Sequence, residues 1–140
     1  MDIKRSGSQP SGNPATVYAG GSAVSLFKST DGGAPWRQAG QGLSGAVGVT
    51  ALAIDPSHST NIYAGSTQGI FRSVDGALTF SAFSIGLTNP SVSALVFDST
   101  GSLHAATDGG GVFDYEFLPN RPLVSTARRP PAPRVLGVRQ

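Results

Sequence analysis

The stretch Ile62-Tyr63-Ala64-Gly65-Ser66-Thr67-Gln68-Gly69-Ile70-Phe71-Arg72-Ser73-Val74-Asp75-Gly76-Ala77-Leu78-Thr79-Phe80 decides the fold, because its phrases recur elsewhere in the chain in the same order. Val17-Tyr18-Ala19-Gly20 precedes Leu26-Phe27-Lys28-Ser29, and Leu103-His104-Ala105-Ala106 precedes Val112-Phe113-Asp114-Tyr115. A third marker, Thr50-Ala51-Leu52-Ala53-Ile54-Asp55, returns as Ser93-Ala94-Leu95-Val96-Phe97-Asp98. The offsets are 45 and 41 for the first marker, 44 and 42 for the second, and 43 for the third. Three markers that share one period and one order define a tandem repeat.

Within one period the chain reads as four short strands. Residues 49–54 are apolar and β-branched and stop at Asp55-Pro56; residues 61–64 stop at Gly65. Residues 70–73 run into the turn Asp75-Gly76, and 78–83 close at Gly86. No helical stripe of period 3.6 is present. Four short strands in ~40–45 residues, joined by Gly and Asp turns, is the spacing of one β-propeller blade.

The outer repeats fall short of that pattern. Residues 6–14 are polar and rich in Gly and Pro where a leading strand would stand, and Phe117 runs into Leu118-Pro119-Asn120-Arg121-Pro122 where a closing strand would stand. The expected tally is three, four and three strands, about two and a half blades. Propellers close with about 4–8 blades. The expected fold class is therefore all-β, an incomplete propeller of four-stranded antiparallel blades. The expected boundaries are a flexible segment at 1–13 and repeats over 14–118, with a partial blade at 14–43, a full one at 47–88 and a partial one at 91–118. Residues 119–140, with five Pro and five Arg, make a disordered basic tail in which 135–138 is a weak strand candidate.

Composition supports a β fold and narrows the partners. Nineteen Gly, ten Pro, one Glu and two Lys leave few exposed helix formers. Between residues 6 and 120 three basic residues (Lys28, Arg37, Arg72) meet seven acidic ones, a net charge of −4, so the overall +2 comes from the two ends. A mildly acidic body argues against nucleic acid as a partner, since phosphate contacts need clustered cations on the folded face. No apolar run approaches the ~20 residues of a membrane helix. The chain has no cysteine, which excludes thiolate metal sites. Met1 to Ser6 carry charge with no apolar run behind them, unlike a secretory signal.

The turn after the third strand is the most specific feature. It reads Ser29-Thr30-Asp31-Gly32-Gly33-Ala34-Pro35-Trp36 in the first repeat and Ser73-Val74-Asp75-Gly76-Ala77-Leu78-Thr79-Phe80 in the second. A carboxylate two residues after a Ser can accept N–H bonds from its own turn. Gly32, Gly33 and Gly76 tolerate positive φ, and Trp36 and Phe80 are placed to fold back as apolar plugs. The expected structural turn residues are thus Ser29, Asp31, Gly33, Trp36, Ser73, Asp75, Thr79 and Phe80. Asp31 and Asp75 occupy identical repeat positions, which favours a turn-fixing role over a catalytic or metal-binding one.

These two turns resemble the Asp box, Ser-x-Asp-x-Gly-x-Thr-Trp, of the bacterial neuraminidase (BNR) repeat found in sialidases, sortilin-type receptors, some glucan-degrading hydrolases and photosystem assembly factors. The resemblance covers residues 14–117. The first box departs at Pro35, the second at Ala77 and Phe80, and the third repeat has no box after Asp114-Tyr115-Glu116-Phe117. A sialidase resemblance would imply a Tyr nucleophile and several Arg. Tyr18 and Tyr63 are repeat-equivalent, Arg37 and Arg72 are too few for a three-Arg clamp, and Glu116 is a poor acid partner. His58 and His104 read as solvent-facing or edge residues, and Asp108-Gly109-Gly110-Gly111 as a hairpin turn.

The expectation is a non-catalytic propeller module with no metal and no cofactor, a fragment or terminal part of a larger protein, acting as a scaffold or presenting its loops to a protein or glycan partner and open to self-association through its blade edges. The alternative is a fragment of a glycoside hydrolase whose catalytic residues lie outside the chain. The resemblance implies an extracytoplasmic or secreted parent.

Overall fold

A computed structural model describes residues 2–5, 16–21, 25–43, 48–83, 86–117 and 124–128 of the 140. All regular structure among them is β. The first sheet holds β1 (Asp2–Arg5), β2 (Val17–Gly21), β3 (Ser25–Ser29) and β4 (Arg37–Ala39). The second holds β5 (Ala51–Ile54), β6 (Ile62–Ser66), β7 (Gly69–Ser73) and β8 (Ser81–Ala82). The third holds β9 (Val92–Phe97), β10 (Leu103–Thr107), β11 (Gly111–Glu116) and β12 (Val124–Arg128). Each is an antiparallel meander in chain order. The architecture is that of an open, propeller-like arc.

The strand count corrects the sequence expectation at both ends. The first sheet gains β1, pairing Asp2 to Gly20 through Arg5 to Val17, and the third gains β12, pairing Val124 to Glu116 through Arg128 to Val112. The result is three sheets of four strands in place of three, four and three. Neither strand has an apolar alternation to announce it. Their pairing comes from the backbone edge of β2 and β11, which sequence pattern does not display. The rest of the expected flexible segment at 1–13, the remainder of the 119–140 tail and the strand candidate at 135–138 lie outside the described residues.

The sheets stack face to face with their leading strands side by side, β1 against β5 and β5 against β9. Two cores fill the junctions. Tyr18 and Leu26 of the first sheet pack on Val49, Leu52, Ile62 and Phe80. Tyr63, Ile70 and Phe83 of the second pack on Val92, Leu95, Phe113 and Tyr115. Tyr63 meets Phe83 edge-on at 5.2 Å and Phe97 at 5.5 Å between centroids, an arrangement aromatic rings favour.

The glycine of the Tyr-Ala-Gly phrase has a packing reason. A Cβ on Gly20 would stand 2.6 Å from Val49 Cγ1, and one on Gly65 would stand 2.7 Å from Val92 Cγ1. Each of these glycines therefore makes room for the chain entering the next sheet, Val49 just ahead of β5 and Val92 at the start of β9. The third copy carries Ala106 at this place, and no described segment lies beyond it. Backbone bonds also cross the first junction. Val49 N donates to Gly21 O at 3.0 Å, and Gly40 N to Ala77 O at 2.9 Å.

Candidate functional site

The turn over residues 73–80 is a closed hydrogen-bond cage. Ser73 Oγ accepts from Ala77 N at 2.9 Å and donates to Asp75 Oδ1 at 2.7 Å. Thr79 donates twice to Asp75, from its amide at 2.9 Å and from its hydroxyl at 2.5 Å. These donors, the Thr79 hydroxyl foremost, lower the Asp75 carboxyl from 3.8 to about 2. Gly76 and Ala77 both take positive φ to make the turn, the second a conformation that alanine seldom adopts. Phe80 seals the turn at 7% exposure, and its amide donates to Gln41 O of the segment leaving the first sheet.

The equivalent turn over 29–36 is built differently. Ser29 Oγ still accepts from Asp31 N and Gly33 N, at 3.3 and 3.0 Å. Pro35 stands where Thr79 stands in the second repeat, and a proline has neither an N–H nor a hydroxyl to give. Among the described residues, no hydrogen bond reaches the Asp31 carboxylate. Trp36, expected as a plug, stays 40% exposed. Phe80 is covered by the segment leaving the first sheet, and no described segment plays that part for Trp36.

Asp31 instead borders a cleft of about 690 Å³ between the first sheet and the second turn. Lys28, Asp31, Arg37, Gln38 and Gln41 supply its polar wall, Pro35 and Leu78 its apolar one. Lys28 and Arg37 are direct cross-strand partners and share a face. The Lys28 ammonium donates to Gly76 O at 3.0 Å and lies 5.6 Å from the Tyr18 ring centroid.

A second cluster lies on the third sheet and corrects the expectation of a solvent-facing or edge histidine at His104. His104 Nδ1 meets Asp114 Oδ1 at 2.7 Å, and Nε2 meets Asp98 Oδ2 at 2.9 Å. With a carboxylate at each ring nitrogen the imidazole is best placed when both carry protons. Asp114 first and Asp98 second raise its pKa above 6.5. Asp98 moves the other way, well below the usual carboxylate range, because Thr100 and then His104 donate to it. Asp98 also borders a groove of about 420 Å³ between β5 and β9. The signal was legible in the repeat. His104 and Asp114 occupy the cross-strand positions of Tyr63 and Arg72, so two partners changed together.

The remaining residues singled out in the sequence serve the fold. Tyr18 and Tyr63 are buried at the two junctions, and burial raises the Tyr63 phenol to about 12. Arg72 lies 5.7 Å from the ring centroids of both Tyr63 and Phe83. His58 Nδ1 lies 3.4 Å from Asp55, which caps its own turn by accepting from Ser57 N and His58 N. Asp108, in the turn between β10 and β11, accepts at 2.9 Å from Ser91 Oγ just ahead of β9.

With this geometry in place, comparison with known proteins separates fold from activity. No family model and no curated relative matches the chain. Among solved structures it is similar to an ancestral GH74 enzyme, with 22% identity and a TM-score of 0.62 over 81% of this chain and 16% of that one. It is also similar to the GH74 enzyme of Niastella koreensis, with 27% identity and a TM-score of 0.57 over 74% of this chain and 18% of that one. The chain thus spans under a fifth of each of these two enzymes. The first likeness establishes the fold. Together they correct the expectation of a module that is not an enzyme, because both neighbours are glycoside hydrolases.

Proposed function

We propose that this chain contributes propeller blades to a glycoside hydrolase of the GH74 kind. The observation that carries the proposal is the 27% identity to the Niastella koreensis enzyme over 74% of the chain, on a shared propeller-like fold. Glycoside hydrolysis uses two carboxyl groups, one of them held protonated by a raised pKa. Asp75 and Asp98 are held as anions by their hydrogen bonds, so the acid is neither of these. The contribution most open to this chain's geometry is sugar binding along its clefts, where exposed polar side chains face an apolar wall.

The cage around Asp75 supports a finer proposal, that the repeats are of the Asp-box kind. Ser, Asp and Thr at the first, third and seventh places of the turn each fill a hydrogen-bond role there, and Phe80 fills the aromatic one.

The test is release of reducing ends from a panel of neutral and acidic polysaccharides by these blades joined to the remaining blades that the proposal requires. Release from at least one polysaccharide, above a heat-denatured control, supports the hydrolase proposal. A folded protein that releases nothing from any of them counts against it.

A further inference from the structure

Two departures from the repeat meet in the cleft between the first two sheets. In the second repeat Arg72 stands opposite Ser81, and Asp75 is taken up by Thr79. In the first, the matching pair is Lys28 opposite Arg37, and Pro35 withdraws both of the bonds that Asp31 would have received. Like charges directly opposite on neighbouring strands are destabilising. Among the described residues neither cation has a carboxylate within ion-pair distance. Such a pair is tolerated where something anionic comes to sit between its members. Structural turns and sheet faces repeat from blade to blade; these residues break the repeat and share one cavity.

We propose that this cleft binds a sugar bearing a carboxylate. Lys28 and Arg37 hold the carboxylate, the second as a planar fork suited to two parallel bonds. Asp31, with its lone pairs unspent, accepts from ring hydroxyls, and Gln38 and Gln41 add neutral donors and acceptors. Pro35 and the exposed Leu78 side chain offer apolar surface to the C–H face of the ring. The volume of about 690 Å³ falls within the usual range for small-ligand sites, ~300–1,000 Å³. The cation pair alone predicts an anion. That the anion is carried on a sugar rests on the glycoside hydrolase proposal.

The test is calorimetric titration with a galacturonic acid trimer, its fully methyl-esterified form, and citrate as a carboxylate without a sugar. The acid trimer is expected to bind, with affinity falling as salt is raised. The ester is expected to bind at least tenfold more weakly. Arg37→Ser, which installs the residue the second repeat carries, is expected to weaken the acid trimer about tenfold, the scale of one charge-assisted hydrogen bond. Asp31→Asn is expected to weaken the trimer relative to citrate, which gains from loss of a neighbouring negative charge. Arg37→Gln, which keeps the aliphatic stem and a polar end without the charge, guards against a folding defect, and circular dichroism reports on all variants. Equal binding of acid and ester, an unchanged Arg37→Ser, or a folded protein that binds no acid trimer would overturn the proposal. Citrate binding as tightly as the trimer would overturn its sugar half. Trimer binding without polysaccharide cleavage would sink the hydrolase proposal and leave the site standing; cleavage without trimer binding would do the reverse.

Discussion

His104 bonds Asp114 straight across the β10–β11 pair, at the place where the second sheet sets Tyr63 beside Arg72. A tyrosine under a cation has become a cation between two anions. The face has kept a paired polar contact while reversing which strand carries the positive charge.

That reversal makes the third sheet sensitive to pH. His104 has a folded-state pKa raised above its unfolded value, so its stabilising contribution is complete below about 6.5 and is lost as pH rises through the folded value. Thermal melts should therefore show a midpoint that falls as pH is raised above about 6.5. His104→Gln should abolish that slope and lower the midpoint at pH 6. A slope unchanged by the substitution would show that the histidine does not carry it.

The two turns should respond unequally to loss of their acids. Asp75, lowered to about 2, stabilises the fold above the ordinary carboxylate pKa, and that contribution fades as pH falls from about 4 towards 2. Asp75→Asn should lower the melting midpoint by several degrees at neutral pH and flatten this acid limb. Asp31→Asn, with no bonds from its turn to lose, should leave the midpoint within about a degree. Paired melts of the two variants check both statements.

Gly65 tests the logic of the junctions. Gly65→Ala drives a methyl group into Val92 Cγ1 and should cost about 1–3 kcal/mol, the usual range for overpacking. Val92→Ala in the same chain should recover part of that loss, so the double variant should be more stable than the sum of the singles. Urea unfolding of the four proteins measures the coupling.

The two ends of the arc present faces that are covered elsewhere. Phe27 is 37% exposed, while its equivalent Phe113 is sealed at 0%. Val96 is 59% exposed, while its equivalent Ala53 is at 4%. Exposed apolar sheet faces promote association. The isolated chain should show a mass that rises with concentration in light scattering, and Phe27→Glu with Val96→Glu should return it towards the monomer mass. A monomer at every concentration before substitution would refute this.

Much of the fold was legible because repetition multiplies weak signals. A strand as short as β6 is ambiguous alone, yet Val17 to Gly20 and Ile62 to Gly65 vouch for each other. In sequence Gly65 marks the end of an apolar run, whereas its deeper cause is Val92, which local pattern does not reveal. β1 and β12 escaped for a related reason, since their hydrogen-bond partners sit elsewhere in sequence. The Asp75 cage could be anticipated from residue types alone. The cleft could not, because it needs Pro35, Arg37 and Leu78 brought together from two sheets. What sequence did display at Pro35 was a departure from the repeat, and departures are where these two turns part company.

Among the described residues, the packed contacts between sheets run from first to second and from second to third. Such a molecule has the energetics of a row of coupled units, each held by its neighbours rather than by a common centre. Loss of the third unit should loosen the second and leave the first nearly untouched. Cooperativity here is a property of two boundaries, and a single residue such as Val92 can set whether the row melts in one step or in two.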